Sequence, residues 1–343
     1  MKQLTKMLAA TGVAALGLSL AACSSDGGGT GGDESYSIVF LAASSQNGYN
    51  QAVFSGIEDE AEKLSEELGI TITAKLQDGQ FDANTQLSQM QNAGTSGQAD
   101  AIITVPQDGV SLAAAFPLAN DVPVVAVLNP IGPEVSKMEP QVEGVLSTVA
   151  TPPAEGAKAQ AEAAVEYCKD IDPCKIGLIA GFLNTPLDLE RLNTWEEILG
   201  QESNIEIVGT VEGQWDRDKS LTAAANLLQA NKDINGFIAG GDQMTTGAQI
   251  ALENAGIDPS TVFLTGAGGT EDGIQAVLDG KWTNVYLNFP YSAGKAALDQ
   301  AINALRGETV EPVVDSDSLG GIGPLADKAV LDENPDFKGE WNG

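Results

Sequence analysis

Histidine is absent from the 343-residue sequence. Without an imidazole there is no Ser-His-Asp or Cys-His nucleophile, no histidine-ligated zinc and no histidine base at neutral pH. The mechanisms of most familiar hydrolases are therefore excluded. We predict that the protein is not an enzyme and has no catalytic residue, metal site or cofactor. An exported enzyme is the weakest alternative, because carboxylates are nearly the only candidates left for a catalytic pair.

Positive charge and aromatic residues are also scarce. Only 17 Lys and Arg stand against 48 Asp and Glu, which gives a formal net charge of −31. This balance argues against nucleic acid and anionic membrane surfaces as partners, since both require clustered cations. Aromatic residues make up 5% of the chain, so we expect a core of Ala, Val, Leu and Ile. The 43% hydrophobic content and 39 glycines fit one or two α/β domains.

Nucleotide-binding and acid–base motifs are not predicted. Residues 266–273 read GAGGTEDG, which lacks the GxGxxG spacing, and the sequence contains no GxxxxGK[ST] motif. Carboxylates do occur together, for example in residues 58–60, but these lie on a predicted helix. We interpret them as a solvated helix face rather than an acid–base pair.

The first residues have the features of an export signal. Residues 1–22 combine Lys2 and Lys6 with a short apolar run, which is typical of a signal peptide. Residues 20–23 read LAAC, a lipobox motif that predicts lipid attachment at Cys23. The alternative is an ordinary signal peptide followed by an unmodified cysteine. Residues 23–35 are rich in Gly and Ser and predict a flexible tether. We therefore expect an exported protein anchored to the outer face of the cell membrane.

The other two cysteines are Cys168 and Cys174, in the segment YCKDIDPCKIG. Exported proteins encounter oxidising surroundings, and Asp172-Pro173 suits a turn between a helix and a strand. We predict a local disulfide. The alternative is two free buried thiols, because closing so short a loop contributes little stability.

After Tyr36 the chain alternates apolar strand-like runs with amphipathic helical stretches. The run beginning at Tyr36 is the first strand, and further strands are predicted near 71–76, 101–105, 123–128, 145–149, 175–181, 205–210, 236–239, 261–265 and 283–287. Continuous apolar runs such as VPVVAVL are typical of parallel sheets that helices cover on both faces. The pattern predicts two doubly wound α/β lobes. A cleft between the carboxyl ends of their strands is then the expected ligand site.

Several segments resemble one protein family in order and spacing. They include QNGYN at 46–50, VPVVAVLNP at 122–130, and the stretches from 215 to 256 and from 269 to 308. Together they are similar to type I periplasmic binding proteins of ABC transporters, in particular ribose-binding-like sugar receptors in lipoprotein form. The resemblance implies an N-terminal lobe of residues 36–150 plus 289–316 and a C-terminal lobe of residues 151–288 plus 317–343. It also implies three hinge crossings, near Ala150, Asn288 and Asp317.

In such receptors the ligand lies between aromatic faces, and amide, carboxylate and guanidinium groups bind its hydroxyls. The ligand-binding residues predicted from the resemblance are Asn47, Tyr49, Asn50, Asn129, Arg191, Trp215, Asp242 and Asn288. Tyr49 and Trp215 could instead pack in a core, but their loops lack apolar periodicity. Asp242 could instead cap a helix, and the asparagines at 47, 129 and 288 could form turns.

The sequence also departs from the family pattern. Leu189 stands at the place of the usual binding arginine, two residues before Arg191. Leu128-Asn129 replaces an Asp-Arg pair, and Gly241 and Gly268 replace an amide and a carboxylate. These losses of charged hydroxyl binders predict a neutral ligand that is smaller, less hydroxylated or differently shaped than a standard sugar.

The sequence thus predicts a lipid-anchored substrate-binding protein of an ABC importer, a monomer that binds a neutral sugar or polyol and delivers it to a membrane permease. The alternative is a sensory or structural surface lipoprotein with the same fold. Fold alone does not separate these two hypotheses. A repressor of the same fold family is excluded by the predicted signal peptide and by the missing DNA-binding segment.

Overall fold

A computed structural model of the protein describes residues 34–118 and 122–343. The predicted signal peptide, the predicted lipid attachment at Cys23 and most of the predicted tether lie outside the described residues. Within the described part of the chain, no helix is both long and apolar enough to cross a membrane.

The first part of the chain alternates strands with helices. Its elements are β1 (Ser35–Ala42), α1 (Gly48–Leu68), β2 (Thr71–Asp78), α2 (Ala83–Thr95), β3 (Ala101–Thr104), α3 (Gly109–Leu112), a 3-10 turn (Ala113–Leu118), β4 (Val124–Val127) and β5 (Val145–Val149). Local chemistry fixes the helix ends. Asn47 caps the start of α1 with its side-chain oxygen, and Gly69 ends it in the left-handed conformation at φ 67°.

The second part repeats this alternation. It contains α4 (Pro153–Cys168), β6 (Cys174–Ala180), α5 (Pro186–Leu199), β7 (Ile205–Glu212), α6 (Arg217–Ala230), β8 (Gly236–Ala239), α7 (Asp242–Asn254), β9 (Phe263–Gly268), α8 (Glu271–Leu278) and β10 (Asn284–Leu287). The chain ends with α9 (Pro290–Leu305), β11 (Val313–Val314), a 3-10 turn (Ser316–Gly320), β12 (Leu325–Asp327) and α10 (Lys328–Glu333).

The strands form two six-stranded sheets. The first has the order β11-β5-β4-β3-β1-β2, and all of its pairs are parallel. The second has the order β12-β10-β9-β8-β6-β7, in which β12 at the edge runs antiparallel to β10. We call the first sheet with α1, α2, α3 and α9 the first lobe, and the second sheet with α4 to α8 and α10 the second lobe.

Helices cover both faces of each sheet. In β1, Ile38 and Phe40 belong to one core cluster, whereas Val39 and Leu41 belong to another. Because neighbouring strand residues point to opposite faces, both faces of the sheet are buried, as a continuous apolar run requires. The predicted fold class of two doubly wound parallel-sheet lobes is confirmed. The sequence pattern missed β11 and β12, because strands of two and three residues are too short to show periodicity.

The return of α9 to the first lobe depends on close backbone contact with α1. A Cβ atom added to Gly56 would lie 2.0 Å from the carbonyl oxygen of Tyr291, and one added to Gly294 would lie 2.1 Å from that of Val53. Any larger residue at either glycine would push the two helices apart. These glycines therefore hold a distant part of the chain against the first lobe.

The chain passes between the lobes in three intervals, residues 150–152, 288–289 and 315–324. The predicted crossings near Ala150, Asn288 and Asp317 fall in these intervals, while the exact lobe boundaries stay a prediction. Hydrogen bonds join the third crossing segment to the first one and to the end of β10. The Thr151 hydroxyl donates to Asp315 at 2.7 Å, and the Tyr286 hydroxyl donates to Asp317.

Cys168 and Cys174 are disulfide-bonded in the structure, with their Cα atoms 5.6 Å apart. They lie at the end of α4 and the start of β6, on either side of the predicted turn. Both are completely buried. Their oxidation in the protein in solution is a prediction.

Candidate ligand-binding cleft

A cavity with an empty volume of about 610 Å³ lies between the carboxyl ends of the strands of the two lobes. This volume includes space that is open to solvent. The lining residues are Ala43, Asn47, Tyr49, Asn50, Phe81, Val105, Pro106, Gln107, Leu128 and Asn129 of the first lobe, Thr185, Leu187, Asp188, Arg191, Trp215, Gly240, Gln243 and Ala267 of the second, together with Asn288 and Trp341. The lobes touch across the cleft. The rings of Phe81 and Phe182 lie 5.5 Å apart, and the Ser136 hydroxyl donates to Glu190 at 2.5 Å.

Seven of the eight predicted ligand-binding residues line this cavity, and they are Asn47, Tyr49, Asn50, Asn129, Arg191, Trp215 and Asn288. The amides of the first loop are partly used inside the protein. The side-chain oxygen of Asn47 accepts hydrogen bonds from the backbone and side chain of Asn50, whose own oxygen accepts from the backbone N–H of Ala43 at 3.0 Å. Asn50 therefore shapes the loop, whereas the amide nitrogen of Asn47 has no hydrogen-bond partner among the described residues.

Two other lining amides carry buried oxygens that have no hydrogen-bond partner in the part of the chain that the structure describes. The Asn129 amide group donates to the Pro106 carbonyl at 2.9 Å, but its Oδ1 accepts nothing. The Gln243 amide group donates to the Trp215 carbonyl at 3.5 Å, and its Oε1 likewise has no donor. Because a buried acceptor without a donor costs free energy, both oxygens are suited to accept from a bound molecule.

Arg191 and Trp215 form the charged and aromatic wall of the second lobe. The guanidinium carbon of Arg191 lies 5.8 Å from the centroid of the Trp215 ring, and its Nη1 donates to the Gly240 carbonyl at 3.3 Å. Burial lowers the pKa of Arg191, and the nearby charge of Asp188 opposes this effect. The guanidinium has five N–H donors, so it retains donors for a ligand.

Asp188 is fixed by three hydrogen bonds. Its carboxylate accepts from the backbone N–H groups of Gly181 and Phe182 at 3.1 and 2.8 Å and from the Thr185 hydroxyl at 2.7 Å. Burial raises its pKa, although these hydrogen bonds and Arg191 act in the opposite direction. Arg191 and Asp188 are the charged residues of the cavity lining, one of each sign.

Comparison with known proteins gives the family. Residues 38–309 match the family described as periplasmic binding protein domain. The chain belongs to the periplasmic binding protein family. It is 26% identical over 287 residues to the ribose import binding protein of Bacillus subtilis (strain 168), covering 83% of this chain and 87% of the relative.

Two solved structures have the same fold. A galactofuranose binding protein is 21% identical with a TM-score of 0.76, covering 88% of this chain and 98% of the other. An ABC transporter solute binding protein from Mycobacterium smegmatis with bound glycerol is 24% identical with a TM-score of 0.73, covering 90% and 99%. Periplasmic binding proteins are exported, non-enzymatic transport components, so the predictions of an exported protein and of a protein that is not an enzyme are confirmed.

Two of the departures from the family pattern, at Leu189 and Gly241, are compensated two residues further along the chain. Leu189 is 38% exposed, whereas Arg191 reaches the cavity. Gly241 has no side chain that could bind a ligand, but the side-chain amide of Gln243 lines the cavity. The periplasmic binding protein therefore has a guanidinium and an amide in its cleft, although neither stands at the expected position. Gln243 was missed by the sequence analysis.

One predicted residue is corrected by the structure. Asp242 does not line the cavity, because its side chain is 0% exposed and points into the second lobe. Its Oδ2 accepts from the backbone N–H of Thr270 at 2.8 Å and from the Thr270 hydroxyl at 3.1 Å. It does not cap its own helix either, since α7 has no side-chain cap at Gly241. Asp242 instead connects the starts of α7 and α8.

Phe81 is an aromatic wall residue that the sequence analysis missed, although a repeat could have revealed it. Residues 78–82 read DGQFD after β2, and residues 212–216 read EGQWD at the end of β7. The two turns are alike in structure. Gln80 and Phe81 have φ of 56° and 54°, and Gln214 and Trp215 both have 54°. Left-handed backbone is uncommon outside glycine, and here it directs one aromatic side chain from each lobe into the cleft.

Glycine is required where Trp215 lies against the second lobe. A Cβ atom on Gly181 would lie 2.2 Å from Cε2 of the Trp215 ring, and one on Gly241 would lie 3.1 Å from Cζ3. The indole thus rests on the backbone of these two glycines, packs in part against the core of the second lobe and lines the cavity. This placement favours the predicted contact role of Trp215 over a core role.

Proposed function

We propose that this periplasmic binding protein is the substrate-binding component of an ABC importer and binds a neutral sugar or polyol in the cleft. The observation that carries the proposal is the combination of aromatic walls, Trp215 above all, with the unpartnered oxygens of Asn129 and Gln243 in one cavity. Aromatic rings pack against the C–H faces of a sugar, and the oxygens accept hydrogen bonds from its hydroxyls. The relatives named for ribose and galactofuranose support this class of ligand.

The balance of charges in the cavity favours a neutral ligand. Arg191 and Asp188 carry opposite charges, and each is influenced by the other. A neutral hydroxyl accepts from the guanidinium and donates to the amide oxygens, so it satisfies both kinds of group at once. An anionic ligand would need further cations to offset its desolvation.

A thermal-shift screen tests the proposal. The soluble form, residues 24–343, is heated with pentoses, hexoses, polyols, inositols and nucleosides in turn. A ligand at about 100 times its Kd should stabilise the protein by about 2.7 kcal/mol, which is readily measured. If only charged compounds raise the melting temperature, or no neutral compound does, the proposed ligand class is wrong.

We further propose that the protein is a monomer held at the membrane by a lipid on Cys23 and that it serves a membrane permease. The Cys23→Ala variant should leave the membrane fraction while keeping the circular dichroism spectrum and melting temperature of the wild type. A variant that still sediments with membranes would contradict lipid attachment. Sedimentation velocity of the soluble form should give one species with the mass of a monomer.

A further inference from the structure

The last residues of the sequence form a segment that bridges the two lobes. We call residues 337–343 the strap. It follows α10 and passes over the start of α8 to reach the cleft, where Trp341 lines the cavity with a side chain only 7% exposed. The strap lies outside the region that matches the family, which ends at residue 309.

Two hydrogen bonds attach the strap to the second lobe, one to the backbone of Trp341 and one from its indole ring. The Trp341 carbonyl accepts from the backbone N–H of Glu271 at 3.0 Å, and its indole Nε1 donates to the Gly268 carbonyl at 2.9 Å. Gly268 leaves room for the ring, because a Cβ atom there would lie 3.0 Å from Cζ2 of Trp341. The glycine that replaces a family carboxylate thus makes space for the indole.

The strap also reaches the first lobe. The carboxylate of Glu340 accepts from the backbone N–H of Ser292 in α9 at 3.0 Å, and the Ser292 hydroxyl donates to it as well. The ring of Trp341 meets Tyr49 of α1 edge to face, with centroids 5.9 Å apart. Trp341 is therefore held between the lobes and forms part of the cavity wall.

We propose that Trp341 is a ligand-contacting residue that sets specificity, and that Glu340 fastens the strap to the first lobe when the cleft is closed. The proposal rests on the proposed function. An indole in place of a charged hydroxyl binder favours a ligand that turns its C–H face to this wall, since burying hydroxyls against it would leave them unpartnered. It also limits the length of the ligand on that side of the cavity.

Calorimetric titration of strap variants tests the proposal. The probes are D-ribose, D-allose, L-arabinose, D-galactose, myo-inositol and glycerol, and the compound that stabilises the wild type most is titrated. Trp341→Ala should weaken its binding about 5- to 150-fold, as expected for the loss of a central aromatic contact. Trp341→Phe should retain part of the affinity. The ratio of Kd values for D-allose and D-ribose, which differ by one hydroxymethyl group, should move toward the larger sugar in Trp341→Ala.

The contact of Glu340 with Ser292 of the first lobe is tested separately. Glu340→Gln and Ser292→Ala alter the same contact from its two sides, and neither residue lines the cavity. Each should weaken binding about 3- to 10-fold, because a hydrogen bond to a charged group is lost or weakened. Glu333→Gln, at an exposed carboxylate in α10, is the matched control and should bind as the wild type does.

The outcomes separate this proposal from the proposed function. If the wild type binds a probe and both Trp341 variants bind it with unchanged affinity and unchanged sugar preference, the strap is not part of the site, while the proposed function stands. If neither these six probes nor any other neutral compound of the thermal-shift screen binds the wild type, the neutral-ligand function itself fails and the role of Trp341 fails with it. If Trp341→Ala does not fold, Trp341→Phe together with the Glu340 and Ser292 variants decides the question.

Discussion

The guanidinium carbon of Arg191 lies 5.8 Å from the centroid of the Trp215 ring. A cation and an aromatic face thus share one wall of the cleft, and a bound molecule can touch both. A cation near the face of an indole also holds that ring in position.

Replacing Trp215 with alanine should weaken binding of the best neutral compound from the screen. Loss of an aromatic contact costs on the order of 1–3 kcal/mol, or roughly 5- to 150-fold in Kd. Isothermal titration calorimetry measures the loss, and ligand binding should change the tryptophan fluorescence of the wild type. The control is Trp282→Phe, because Trp282 is buried in the second lobe away from the cavity. Unchanged affinity in Trp215→Ala would refute its contact role.

Ligand affinity should respond little to salt. Raising the ionic strength from roughly 0.05 to roughly 0.5 M weakens the attraction between separate charges but not aromatic contacts or neutral hydrogen bonds. Calorimetric titration at both salt levels should therefore give Kd values within a few-fold of each other. A roughly tenfold loss at high salt, or tighter binding of a sugar phosphate than of its parent sugar, would show that the ligand is charged.

Buried Asp242 should make stability depend on pH. Burial raises the pKa of its carboxyl from 3.8 to about 7. The native state therefore holds the proton more tightly than the unfolded chain does. This contribution to the free energy of unfolding falls as pH rises from about 4 to about 7 and is constant above that range, with a slope of at most about 1.4 kcal/mol per pH unit.

The Asp242→Asn variant isolates this effect. Its melting temperature should change less between pH 5 and pH 8 than that of the wild type, because the side chain no longer titrates. Asp272→Asn, at an exposed position in α8, is the control for removing one negative charge and should follow the wild-type profile. Parallel profiles for Asp242→Asn and the wild type would contradict the assignment.

Cys168 and Cys174 should be oxidised in the exported protein, as their contact in the structure and an oxidising compartment both favour. Mass spectrometry of unreduced protein should find neither thiol open to alkylation, and two alkylated thiols would overturn the prediction. Replacing both with serine should lower the free energy of unfolding by about 2 kcal/mol, since the loop closed by the bond is short. Reductant should then have no further effect on the double variant.

The sequence by itself determined the alternation of strands and helices and the two-lobed architecture. Both follow from local patterns, because a buried parallel strand must be apolar on both faces and a covering helix must be apolar on one. The two polar segments around Tyr49 and Trp215 were visible for the same reason, since they interrupt those patterns, although Tyr49 lies in the first turn of α1. The carboxyl ends of parallel strands then place such loops at one cleft.

Only the tertiary structure decided which side chains face the cleft. Leu189 and Arg191 lie on one helix, and the rotation of that helix against the sheet brings Arg191 to the cavity and leaves Leu189 exposed. Asp242 is the first residue of α7, close to the cleft in sequence, yet contacts with Thr270 bury it in the second lobe. Trp341 reaches the cleft from a segment far along the chain, where it meets Tyr49. Such contacts join residues distant in sequence, so no local pattern encodes them.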